Sequence, residues 1–155
     1  MATQTGRTVP KWGALHLDDS GGTLRTIVGV KSINGVGLAY DETDVTGLFE
    51  LIKNSLPAQA DLTVAITGHM DNTADTGFHT VFSAINGLYT PLSMDIQIGI
   101  RHAWESGEPQ FGITSSASSG MWCSSYVVDI SSMEATATLK VYGSTAPAWG
   151  TAAET

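Results

Sequence analysis

The stretch from Asp61 to Ile85, DLTVAITGHMDNTADTGFHTVFSAI, constrains the fold more than any other part of the chain. Leu62, Val64, Ile66 and Gly68 alternate with Thr63, Ala65, Thr67 and His69, which predicts a strand with one apolar face. Phe78, Val81, Phe82 and Ile85 then fall at i, i+3, i+4 and i+7, the spacing of one apolar stripe on a helix over about residues 73–86. Asp71 and Asn72 are expected to cap that helix by accepting from its unpaired amides. Asp75 is expected in its first turn, where the helix dipole favours a carboxylate. A helix this short is stable only when its stripe lies on something else, so the strand and helix together require a sheet.

The rest of the chain supplies strands. Residues 14–18 alternate and run into Asp18-Asp19-Ser20-Gly21-Gly22, a turn signal, after which 23–33 resume as a second strand, together a hairpin. Met94, Ile96, Ile98, Ile100 and His102 oppose Asp95, Gln97, Gly99 and Arg101, giving a strand with one core face and one wet face. A turn at 105–109 leads to a short strand near 111–114 and a Ser-rich loop. Residues 121–130 and 134–142 read as a closing antiparallel pair, with Ala135, Ala137, Leu139 and Val141 on one face. Residues 38–60 are a long loop or, over its GLFELIKNSL portion, two helical turns closed by Pro57. The expected architecture is mainly β: a sandwich or partly closed barrel with one flanking α-helix, as a single domain over 14–142. Residues 1–13 and 143–155 are expected to be extended arms, anchored by Trp12 and Trp149.

At 155 residues one core suffices without staples, and the lone Cys123 excludes an internal disulfide. Cys123 is expected to be a small buried hydrophobe. No apolar run approaches the roughly 18 residues of a membrane span, and the N-terminus carries no signal-type segment, so a chain that is neither exported nor membrane-inserted is expected. Fifteen acidic residues against seven basic give a net charge of −8, with no Lys/Arg cluster to displace counterions, which argues against tight nucleic-acid binding.

Catalytic, cofactor and metal sites have no sequence support. His16, His69, His79 and His102 lack ligand spacing, and no cysteine pair assists them. Glycine-rich phosphate loops and the Gly-x-Ser-x-Gly elbow are absent. Asp41, Glu42 and Asp44, with Asp71 and Asp75, form the available carboxylate set, but their spacing fits no calcium loop and capping accounts for two of them.

The segment just described, preceded by Asp44-Val45-Thr46 and containing the turn Asp71-Asn72-Thr73-Ala74-Asp75-Thr76-Gly77 that opens a small helix, resembles the tail tube (major tail) proteins of long-tailed bacteriophages. The order of elements agrees over about residues 14–142. The resemblance implies a β-sandwich subunit that assembles with copies of itself into hexameric rings, which stack as a hollow tube for DNA passage without tight binding. It also implies tape-measure and other tail proteins as partners, synthesis in the host cytoplasm, and a place in the virion tail. Tail terminators and injection-system tubes have related folds. On this reading Asp95, Gln97, Glu134 and Thr136 would face the lumen, where acidic groups repel phosphate. Leu48, Phe49 and Leu51 in the long loop, with Trp12 and Trp149 in the arms, would bridge rings. The competing reading is a monomeric binding module for carbohydrate or a cell surface, with Trp104, Trp122 or Tyr126 as stacking platforms. An enzyme ranks third.

Overall fold

A computed structural model describes residues 12–99 and 109–151. Eleven strands and one helix follow in the order β1 (Trp12–Asp18), β2 (Leu24–Thr26), β3 (Val30–Asn34), β4 (Ala39–Asp44), β5 (Ser55–Asp61), β6 (Thr63–His69), α1 (Phe78–Ile85), β7 (Met94–Gly99), β8 (Pro109–Ile113), β9 (Ser119–Asp129), β10 (Glu134–Gly143) and β11 (Ala148–Thr151). One sheet has the order β11-β8-β7-β1-β2, a second has β3-β6-β10-β9, and β4 pairs with β5 alone. All ladders between these strands are antiparallel and neither large sheet closes on itself. The fold is therefore a β-sandwich with one helix, not a barrel.

The alternation read from the sequence decides which residues enter the core. Leu15, Leu17, Met94, Ile96 and Phe111 from the first sheet meet Val64, Ile66, Met121, Ala137 and Leu139 from the second, all buried in one cluster. The helix contributes Phe78, Val81, Phe82 and Ile85 to the same cluster. Burial of each such side chain is worth roughly 1.5–3 kcal/mol, so this stripe, and not helix propensity, holds eight residues helical.

Several local expectations are corrected. The strand expected over 23–33 is two strands: β2 stays with β1, whereas β3 pairs with β6 in the other sheet. The chain changes sheets at Gly29, whose φ of 87° lies in the left-handed region open to glycine. The long loop of 38–60 is neither a loop nor a helix but the β4–β5 hairpin, with Ala39 opposite Asp61 and Asp44 opposite Ser55. Residues 148–151, expected in an extended arm anchored by Trp149, form an edge strand on β8. His102 and Arg101 lie outside the described residues, as do Trp104 and the first eleven residues.

The helix start also differs from expectation. Its N-cap is Gly77, with no side-chain cap and no acidic residue in the first turn. Asp71 contributes its backbone instead: its carbonyl accepts from the His79 amide at 2.9 Å. The Asp71 carboxylate folds back on Thr73, accepting from its amide at 2.8 Å and its hydroxyl at 2.6 Å. Those bonds hold the carboxyl pKa below its ordinary value. Asp75 takes φ 66° in the turn between, so Asp71, Asn72 and Asp75 shape the entry to the helix without capping it by side chains.

Candidate assembly surface

The β4–β5 hairpin and its tip, residues 45–54, are exposed at every position and form a sheet separate from the sandwich. Its tip is internally knit. The Val45 amide donates to the Asn54 carbonyl, the Asn54 amide donates to Thr46 Oγ1 at 2.7 Å, and Asp44 Oδ1 accepts from the Thr46 amide at 2.9 Å. Glu50 closes the next turn by accepting from the Gly47 amide. These bonds order the backbone while leaving the apolar side chains without cover. Leu48 and Phe49 are 98% exposed, Leu51 is fully exposed and Ile52 is 81% exposed. Four large apolar groups on one projecting tip are unlike the scattered exposed hydrophobics of an ordinary monomer surface.

Of the residues expected to bridge rings, Leu48, Phe49 and Leu51 thus share one exposed knob. Trp149 does not join them. It packs on Phe111 with ring centroids 5.0 Å apart, half-exposed on the edge strand β11. Its indole also lies beside Gly37, just before the hairpin. The backbone of Trp12 begins β1 opposite Gly99, and its side chain lies outside the described residues.

The four residues expected to face a lumen divide between opposite outsides of the sandwich. Asp95 and Gln97 alternate with the buried Met94 and Ile96 and so lie on the outward side of the first sheet. Glu134 and Thr136 alternate with the buried Ala135 and Ala137 and lie on the outward side of the second. They form no common wall within one subunit. Gln97 is moreover 2% exposed, and neither of its amide atoms has a hydrogen-bond partner among the described residues, which contradicts the expected wet face at that position. Glu134 is not a bare carboxylate: it accepts from Lys31 Nζ at 2.6 Å, and this pairing lowers its pKa.

Trp122, named from the sequence as a candidate stacking platform, belongs to an aromatic surface on the second sheet whose other members, Tyr89 and Tyr142, the sequence reading did not name. Trp122 and Lys140 are paired across β9 and β10, and Tyr142 follows two residues after Lys140 on the same outward face. Tyr89, 86% exposed, meets Tyr142 edge-on at 5.5 Å between ring centroids. Leu88, Tyr89, Trp122, Val141, Tyr142 and Gly143 line a cavity of about 480 Å³. The available cue was Tyr89, an aromatic bracketed by Gly87 and Pro91. Tyr126, a proposed sugar platform, is instead packed beside Phe78 and Phe82 with its hydroxyl 2.9 Å from His79 Nδ1. No three metal-ligating side chains gather among the described residues.

No protein-family model matches the chain, and no curated protein does. Solved structures do match in fold. A chain from an extracellular contractile injection system, described as PVC sheath/tube terminator in the extended state, superposes with TM-score 0.63 at 13% identity. The match covers 96% of this chain and 99% of that one. A chain of the anti-feeding prophage baseplate, 6-fold symmetrised, superposes with TM-score 0.57 at 9% identity over 97% of both. These likenesses establish the shared sandwich. They run nearly end to end, so the hairpin falls within the aligned span.

Proposed function

We propose that this protein is a structural subunit of a phage-tail-like injection apparatus, assembling with copies of itself into a ring at the tube or at its terminating end. The observation that carries the reading is the end-to-end fold likeness to the sheath/tube terminator chain. The 6-fold symmetry of the baseplate assembly containing the second neighbour makes a hexameric ring the first arrangement to test. The exposed tip at Leu48, Phe49 and Leu51 supports association, because an apolar knob without cover in the subunit gains burial only from a partner. The outer edges of β2, β3 and β11, which pair with no further strand among the described residues, offer further surfaces for joining neighbours. Excess negative charge suits a conduit that passes DNA without retaining it. Tape-measure and other tail proteins would be its partners, the tail its location, and no catalytic step its task.

The terminator reading is preferred to a tube subunit, since a terminator is what the better-matching neighbour is described as. Negative-stain microscopy of the concentrated protein, alone and with tube subunits from the same particle, tests both. Single rings that cap preformed tubes are expected. Long tubes from the protein alone would favour the tube role, and a strictly monomeric species under both conditions would refute the assembly reading.

A further inference from the structure

Two apolar features among the described residues, the hairpin tip and the trough between Tyr89 and Trp122, differ in charge as well as shape. We propose that the tip of one copy seats in the trough of a second copy, Phe49 and Leu51 entering between Tyr89 and Trp122 while Glu50 meets Lys140. The inference rests on the assembly reading above and names the contact that would serve it.

Three observations select this pairing. The tip reaches nothing in its own subunit: Phe49 and Leu51 are essentially fully exposed, and β4 alone, six residues long, spans roughly 20 Å of projecting strand. The trough presents aromatic side chains that a partner could desolvate, the composition typical of the centre of an interface. Charge then fixes the choice. Among the described cations, Arg25 is paired with Asp19 and Lys31 with Glu134, whereas Lys140, beside Trp122, and Lys53, in the tip itself, have no ion pair, so Lys140 is the unpaired cation outside the hairpin. The tip carries Glu50 and Lys53, and the stem behind it carries Asp41, Glu42 and Asp44, so the hairpin as a whole is acidic. A larger cavity of about 630 Å³ opens between the sheets near Leu15, Ile27 and Ile96, but its cation, Lys31, is already held by Glu134.

The geometry has a consequence for assembly. A second cavity shares Trp122, Val141 and Gly143 with the trough and extends to Gln59 and Asp61 at the root of the hairpin. Each tip would therefore land near the root of the next hairpin. Tip and trough are different patches, so the contact is head-to-tail, the kind that closes rings or continues as a stack.

The test mixes full-length Phe49→Cys protein with full-length Tyr142→Cys protein of distinguishable mass under mild oxidation. Wild-type protein is the control for Cys123, which is buried. A mixed disulfide dimer several-fold more abundant than either homodimer is expected. In parallel, Lys140→Glu should weaken assembly roughly fivefold by placing like charges together, and Glu50→Lys combined with Lys140→Glu should restore it. Particles that still form while Phe49→Cys and Tyr142→Cys fail to link, and without rescue by the charge exchange, would overturn the tip-in-trough contact and leave the assembly reading intact. Absence of any particle or cross-link in all variants and in wild type would overturn both.

Discussion

Phe78 lies against the backbone of Gly68. A Cβ on Gly68 would stand 2.8 Å from Phe78 Cδ2 and 2.7 Å from the Gly29 carbonyl oxygen, closer than real Cβ atoms come. The strand and the helix of the opening sequence segment meet at this point, and the sheet switch at Gly29 lies against the same spot. Gly68→Val should therefore cost about 1–3 kcal/mol or more by overpacking, and Phe78→Ala about 3–5 kcal/mol by leaving a cavity. Denaturant unfolding of each variant measures both; a neutral Gly68→Val would contradict the packing described.

The entry to the helix separates three residues that sequence reasoning treated alike. Asp71→Ala removes both bonds to Thr73 and should lower stability by about 1 kcal/mol. Asn72→Ala should change stability by less than about 0.5 kcal/mol, because no side-chain cap depends on it. Asp75→Gly should be neutral or stabilising, since φ 66° suits glycine better than any residue with a Cβ. Thermal melts of the three proteins rank them.

Deletion of residues 42–55 removes an exposed tip and the distal end of a hairpin that lies outside the core. The truncated protein should keep its β-sheet circular dichroism and lose assembly under the electron microscope. Global unfolding would show that the hairpin supports the sandwich after all.

His16 supplies a pH dependence. Burial pushes its pKa below 6.5, with the Asp95 carboxylate opposing. The unfolded chain therefore binds the proton more readily, and the stabilisation is present above the unfolded pKa and lost as pH falls through the folded one. Tm should drop progressively between about pH 7 and pH 5, above the carboxylate range, and His16→Gln should flatten that slope. An unchanged slope in the variant would remove His16 as the cause.

Cys123 donates its Sγ hydrogen to the Ser125 carbonyl at 3.3 Å, and burial pushes its thiol up to about 11. Native protein at pH 8 should react slowly with a thiol reagent, and denaturant should release one reactive thiol per chain. Fast stoichiometric labelling of the folded protein would contradict this burial.

What was legible in the sequence followed from periodicity. The alternation in β6 and β10 and the four-residue stripe of α1 placed the core residues correctly, because burial on one face imposes a period on any strand or helix, whereas in β7 it placed Met94 and Ile96 but not the buried Gln97. Partner choice was not legible. Nothing in residues 23–33 says that the chain leaves one sheet for the other, since that depends on which strands are neighbours in space. The hairpin at 39–61 was hidden for another reason: a two-stranded ribbon with both faces in solvent has no burial pattern to read. For the same reason, alternation identified the outward positions of Asp95 and Glu134 but not that the two strands belong to opposite sheets.

The detached ribbon also has to avoid the wrong company. Among the described residues its two strands pair with no other strand along their outer borders, and such borders can recruit other chains into amyloid-like ladders. Pro57 lacks the amide that such recruitment needs. Opposite it, the register slips between Tyr40 and Glu42, and three carboxylates crowd the same short strand. These features discourage indiscriminate backbone pairing, so replacing Pro57 with a β-branched residue should raise the fraction of protein recovered as insoluble deposits.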